Sequence, residues 1–179
     1  MLLKSSSLQL LAVVCLFVAT RASAQTEPGV APRGVWLSAG LGAGMFVTHS
    51  NDAAFAGEAS LTYRFGANLI VVRGAGAAEL FGSGAGDVGL LFGRARVEPH
   101  QRTSIAAGLA VVGGCRSTST AVLGGHCDRA PTSIGIPVEA QVAWVPLREL
   151  GLGLVAFADV SRHLSFVGAA LSLQVGRLR

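Results

Sequence analysis

The sequence predicts an all-β protein: a single up-and-down antiparallel barrel of about eight strands, transmembrane, with its apolar faces turned toward lipid. Three observations lead there. Apolar residues alternate with small or polar ones at a period of two through most of the chain, as strands with two unlike faces require. The chain is apolar, with a mean hydropathy of +0.55. Yet beyond the leader no segment has the roughly 18 uninterrupted apolar residues that a membrane helix needs. Glycine, at 24 residues, is scattered through the periodic segments. Helix interiors disfavour that, whereas tightly curved strands use it.

Residues 1–24 read as a cleaved secretory signal peptide. Lys4 supplies the positive start, Leu10 to Ala19 an apolar stretch too short to span a bilayer, and Ala22-Ser23-Ala24 an A-x-A cleavage site. Cys15 leaves with it. Residues 25–33 form a Pro-containing lead-in, and residues 34–179 the barrel domain. The formal charge of +4 includes Lys4 and Arg21, and the remaining basic residues are not clustered. No nucleic acid is expected as a partner, because phosphate binding needs a basic footprint.

The first strand, Val35 to Val47, sets Leu37, Leu41 and Met45 against Ser38, Gly40, Gly42 and Gly44. The second, Ala53 to Phe65, sets Phe55, Leu61, Tyr63 and Phe65 against Glu58, Ser60, Thr62 and Arg64. Gly66-Ala67-Asn68 is a tight turn. The third, Leu69 to Phe81, carries Arg73 and Glu79 at one parity. Gly82 to Asp87 reads as a glycine-rich loop, and with no helix or Lys after it this is not a phosphate cradle. In the fourth, Val88 to Val97, the apolar parity of Val88, Leu90 and Phe92 runs on into Arg94 and Arg96. Either a bulge near Gly93 or the edge of the apolar band reconciles this.

The fifth strand, Thr103 to Gly113, precedes an irregular stretch, Gly114 to Pro131. The sixth, Ile134 to Trp144, has the cleanest alternation, with Glu139 and Gln141 on its small face. Pro137 on that face cannot donate to a ladder, which predicts a bulge or fraying. Leu150 to Val160 and Leu164 to Arg177 complete the set. The bulk of one face and the glycines of the other point the bulky face outward, since so small a lumen has room for side chains and little more. If both ends of the mature chain share one side, the long Gly114 to Pro131 connection falls on the other.

This pattern resembles the small eight-stranded outer-membrane β-barrel proteins of Gram-negative bacteria, over nearly the whole mature chain. The resemblance implies an exported outer-membrane protein embedded in the lipid bilayer, monomeric, non-enzymatic and without cofactor. Its role would be structural or one of surface recognition through outward loops, with an extracellular partner the sequence does not specify. One departure is visible: members usually end in an aromatic residue, and this chain ends Val175-Gly176-Arg177-Leu178-Arg179. That keeps open a soluble periplasmic barrel binding a small apolar ligand, in which the apolar faces would point inward. A minimal pore is a further alternative.

Several residues are candidates for specific roles. Cys115 and Cys127, an even pair in an exported chain, are expected to form a disulfide. It would close a loop of about a dozen residues, worth roughly 3 kcal/mol in the chain-entropy model. A metal set of these two with His126 fits no common zinc spacing. Glu58, Arg73, Glu79, Glu139 and Gln141 are expected to share the barrel interior as a hydrogen-bonded plug, since buried charges must pair or be neutralised. Arg73 is the partner expected for Glu139. Trp36, Tyr63 and Trp144 are candidates for a membrane-interface girdle, with core packing as the plain alternative. His163 and Ser165 resemble the His and Ser of a lipid A deacylase family with this barrel, but the Asn expected after the serine is Phe166.

Overall fold

The computed structural model describes residues 33–47, 53–79, 83–117 and 127–178. They form β1 (Arg33–Phe46), β2 (Ala53–Phe65), β3 (Asn68–Ala78), β4 (Gly84–Val97), β5 (Gln101–Ser117), β6 (Cys127–Trp144), β7 (Leu150–Ser161) and β8 (Phe166–Gly176). The strands run in sequence order around a closed barrel. Each neighbour is antiparallel, and β1 closes on β8 from Trp36↔Gly176 to Phe46↔Phe166. No described helix is long and apolar enough to cross a membrane, a test that has no bearing on strands. The signal-peptide expectation lies outside the described residues. We call the end where β1 starts and β8 finishes the near rim, and the other the far rim.

Side chains of a strand alternate across the wall, and here the alternation separates two chemistries. All eight strands place large apolar residues outside, with Leu41 at 81% and Ile134 at 74% exposure. The soluble-barrel alternative requires those faces inside, and the structure turns them out. The inner face carries glycine, alanine, hydroxyls and charges. At the β2–β3 turn the two strands meet at Phe65↔Asn68, which leaves two central residues. Gly66 has φ of 65° and Ala67 no positive φ, as a type II′ hairpin demands of a glycine at its first central position.

Three expectations are corrected in detail, and one open alternative is decided. Residues 84–87 are strand, paired with β3 from Ala78↔Gly84 to Ala75↔Asp87. The glycines there keep the strand period while leaving no side chain to reveal it. The stretch after Gly113 is strand at both ends, because β5 runs to Ser117 and β6 starts at Cys127, with residues 118–126 outside the described ones. Pro137 neither bulges nor frays. It pairs with Asp159 on the β7 side, while on the β5 side the ladder skips from Ala107↔Val138 to Ala110↔Gly135 in unchanged register. The missing N–H interrupts one ladder, and the intact opposite ladder holds the strand. The register shift comes farther on, between Val112 and Gly114. Lastly, β4 pairs with β5 without a break past Gly93, so Arg94 and Arg96, both exposed, lie at the edge of the apolar band.

The lumen is filled in three layers. Phe46, Val112, Phe157, Leu164 and Phe166 pack with alanines toward the far rim. Trp36, Ala143, Val145 and Leu178 pack at the near rim. Backbone bonds from Val145 N to His100 O (2.8 Å) and from Leu178 N to Arg148 O (3.1 Å) hold that floor. The polar groups lie between, beside a third apolar cluster of Leu69, Val71, Leu91 and Ala106.

Candidate functional site in the barrel lumen

The wall alternation delivers Ser38 from β1, Glu58, Ser60, Thr62 and Arg64 from β2, Arg73 from β3, and Asp87 from β4. It adds Arg102 and Ser104 from β5, Glu139 and Gln141 from β6, Asp159 from β7, and Ser172 and Gln174 from β8. All are buried. Glu58, Arg73, Glu139 and Gln141 therefore stand in the lumen.

Arg73 is the hub of the far half. Its Nη2 meets Asp87 Oδ2 at 2.5 Å, and its Nη1 lies 3.8 Å from Glu139 Oε2. Nη1 also donates to the Val138 carbonyl at 3.1 Å, on the strand whose ladder Pro137 interrupts. The guanidinium carbon sits 5.8 Å from the centroid of Phe157, whose ring meets Phe166 edge-on. One cation thus ties β3 to β4 beside it and to β6 across the barrel. Glu58 is held by Ser38, whose Oγ donates to Oε1 at 2.8 Å. Asp159 stands over Gly135, where an added Cβ would clash with its carboxylate and with Val112.

A relay of side-chain amides leads from this half to the other. Gln141 Nε2 donates to Glu139 Oε1 at 2.6 Å. Gln174 Nε2 donates to Gln141 Oε1 at 3.1 Å. Arg102 Nη2 donates to Gln174 Oε1. Every donor points from the cation toward the carboxylate, so each amide's orientation is fixed by both neighbours. At the near end the Arg102 guanidinium lies 3.7 Å from the centroid of the Trp36 ring.

Three sequence expectations move. Trp36 is 1% exposed and belongs to the lumen, not to an interface girdle. It shares parity with Ser38 and Gly40, and its ring is the platform under Arg102. Tyr63 and Trp144 are exposed on the outer wall. Glu79 has the inner parity but lies beyond the end of β3. It is half-buried, and its Oε2 accepts from Ser83 N at 2.9 Å across the β3–β4 connection. Asp87, the closest partner of Arg73, was hidden in the glycine-rich stretch read as a loop.

Elsewhere, Ser165 Oγ donates to the Ser161 carbonyl at 3.0 Å and accepts from Ser161 N at 3.1 Å, so that hydroxyl is engaged in the β7–β8 turn. Cys127 pairs with Ser117 and Cys115 with Arg129 in register, while His126 lies outside the described residues. Among the described residues no group of three or more His, Cys, Asp or Glu is arranged to hold a metal ion. A groove of about 790 Å³ lies on the outer wall, between Leu41, Leu152, Leu171 and Leu173 over Gly57 and Gly153. It is a gap between outward leucines, with Glu58 and Ser172 of the polar column among its lining residues.

No protein-family model matches this chain, and no curated protein sequence matches it. Solved structures do. Neisserial surface protein A superposes with a TM-score of 0.60 at 15% identity, over 80% of this chain and 96% of that one. The N-terminal β-barrel domain of Pseudomonas aeruginosa OprF gives 0.59 at 11% identity, over 80% and 98%. Ail, the attachment invasion locus protein of Yersinia pestis, gives 0.53 at 6% identity, over 80% and 97%. At these identities the likeness is one of fold: this chain has the fold of the small eight-stranded outer-membrane barrels.

Proposed function

We propose that the protein is an integral outer-membrane β-barrel with a structural or surface-recognition role, non-enzymatic, exported by its signal peptide. The observation that carries this reading is the inversion of the wall. Large apolar side chains stand exposed on all eight strands, while Glu58, Arg64, Arg73, Asp87, Arg102, Glu139 and Asp159 are buried inside. Soluble monomers rarely expose contiguous apolar patches beyond a few hundred Å². A closed barrel in lipid needs this arrangement, because its backbone groups are all paired and its outside must be greasy.

The margin of the band supports the same reading. Tyr63, Phe65 and Phe92 neighbour one another on the outer wall, with ring centroids 6.0 and 6.4 Å apart. Arg33, Arg94, Arg96 and Arg177 are exposed toward the near rim. Aromatics followed by cations suit the passage from hydrocarbon to headgroups. The recognition half of the proposal rests on the β5–β6 hairpin. β6 pairs with β5 down to Cys127 but with β7 only from Gly135, so this arm rises past its neighbour at the far rim. The expected Cys115–Cys127 disulfide would staple its tip.

Fractionation with a heat-modifiable gel tests the proposal. The unboiled protein should run from the membrane fraction as a compact band and shift on boiling. Recovery wholly in the soluble periplasm would overturn it. A planar bilayer carrying the protein should stay silent, because apolar layers close the polar column at both ends. Steady conductance would replace the plug with a minimal pore.

A further inference from the structure

The two halves of the polar column are unsatisfied in opposite ways. Toward the far rim the buried atoms without a hydrogen-bond partner are mostly acceptors: Glu58 Oε2, Asp87 Oδ1, Glu139 Oε2 and both oxygens of Asp159. Toward the near rim they are donors: Trp36 Nε1, Arg64 Nε, and Arg102 Nε and Nη1. Such groups in a native structure call for an occupant, whether water or an ion.

Charge decides what kind of occupant the near chamber needs. Arg64 and Arg102 are 4% and 1% exposed, and among the described residues neither is in salt-bridge contact with a carboxylate. Both lie near the Trp36 ring. A Cβ at Gly34 would stand 3.7 Å from both Arg64 Nε and Trp36 Cζ3, and Arg102 covers the Trp36 face. Glu139 is kept at a distance by the two amides of the relay. A buried carboxyl has the option of taking up a proton, but a guanidinium in a protein does not shed one. Water can satisfy the N–H groups, yet it leaves two buried guanidiniums with no anionic group in contact, Glu139 being the carboxylate at the far end of the relay, and a buried charge without a contact partner is costly.

We infer that the near chamber binds a small inorganic anion of halide size between Arg64 and Arg102, beside Trp36. The anion supplies the contact partner that Asp87 and Glu139 supply for Arg73 in the other half. Val145 and Leu178 pack beside it at the near rim, and it exchanges with solvent in the folded barrel.

The test uses the folded protein in detergent micelles with Trp144→Phe, which leaves Trp36 as the sole tryptophan of the two in the chain. Bromide quenches an indole it touches. Potassium bromide is titrated against potassium gluconate at constant ionic strength, gluconate being a bulky anion that does not quench indole. Quenching of Trp36 should saturate and be reversed by chloride. Arg64→Met should raise the half-saturation point roughly tenfold or more, as expected for loss of a charge-assisted donor. Gln174→Glu gives Arg102 a carboxylate of its own, so saturable quenching should vanish while the gel shift of the folded barrel persists. No quenching in the parent, or quenching that rises linearly without saturation, overturns the proposal and leaves water as the occupant. Saturation unchanged in both variants overturns it as well. Should Arg64→Met fail to fold, the parent titration and Gln174→Glu still decide.

Discussion

The far and near halves of the lumen solve the same problem with different means. In the far half one arginine serves two carboxylates and a backbone carbonyl, so a single residue pins three strands. In the near half Arg102 stacks on an indole and heads an amide relay, Arg64 stands nearby, and neither is in salt-bridge contact with a carboxylate. The far half is thus cross-linked by charge pairs, whereas the near half is organised by stacking on Trp36. The comparison teaches that polarity inside a small barrel is not one undifferentiated plug. The alternation that admits a polar residue to the lumen leaves its partner to be set by strands far apart in sequence.

The largest test of this contrast is Arg73→Met. It strands Asp87 and Glu139 without their cation, and loss of one partner of a buried pair costs about 3–5 kcal/mol. The urea midpoint of the folded band on unboiled gels should drop accordingly. A drop no larger than that of a surface variant would show that Arg73 is not the hub.

Trp36→Leu should come next, at about 2–4 kcal/mol, from a lost cation–π contact and a cavity at the near rim. A loss below that of Tyr63→Leu on the outer wall would return Trp36 to the girdle. Gln141→Leu cuts the relay and leaves Glu139 Oε1 and Gln174 Nε2 without their partners, at about 1–3 kcal/mol. Combined with Arg73→Met its effect should not add, because both act on Glu139. Equal additivity would mean that the halves are independent. The smallest effect belongs to Arg96→Ala. Its pair with Glu98 at 3.0 Å is about half exposed, and such a change should stay under about 1 kcal/mol.

The wall of this barrel is legible in the sequence because a strand writes its two faces at alternate positions. Ile134, Ile136 and Val138 against Glu139 and Gln141 state the sixth strand without ambiguity, and the bulk of one face states which way it looks. What fails is what periodicity does not encode. Gly84 and Gly86 have no side chain to show a parity, so a strand there looks like a loop and Asp87 is lost with it. Trp36 was placed by residue type at a strand end, although its parity with Ser38 and Gly40 puts it inside. Glu79 keeps the inner parity, but its strand stops one residue short. The Arg73 to Glu139 approach was anticipated from charge alone. That Asp87 stands closer, and that Gln174 and Arg102 continue the line, depends on the barrel's curvature bringing β3 opposite β6 and β8 beside Gln141. No local window contains that information.

The seam between β1 and β8 has a kinetic meaning. Every other strand pair in the ring joins segments adjacent in the chain, so each can form as a hairpin of low closure entropy. The Trp36↔Gly176 to Phe46↔Phe166 ladder joins the two extremes of the strand order, and contacts of that kind are the slow ones to form. Until it forms, β1 and β8 are open edges, and an open edge invites pairing with another chain. Arg102 cannot have both of its near-rim contacts before then, because Trp36 lies on one of those strands and Gln174 on the other. Zipping the seam therefore both ends the period of greatest aggregation risk and completes the setting of Arg102.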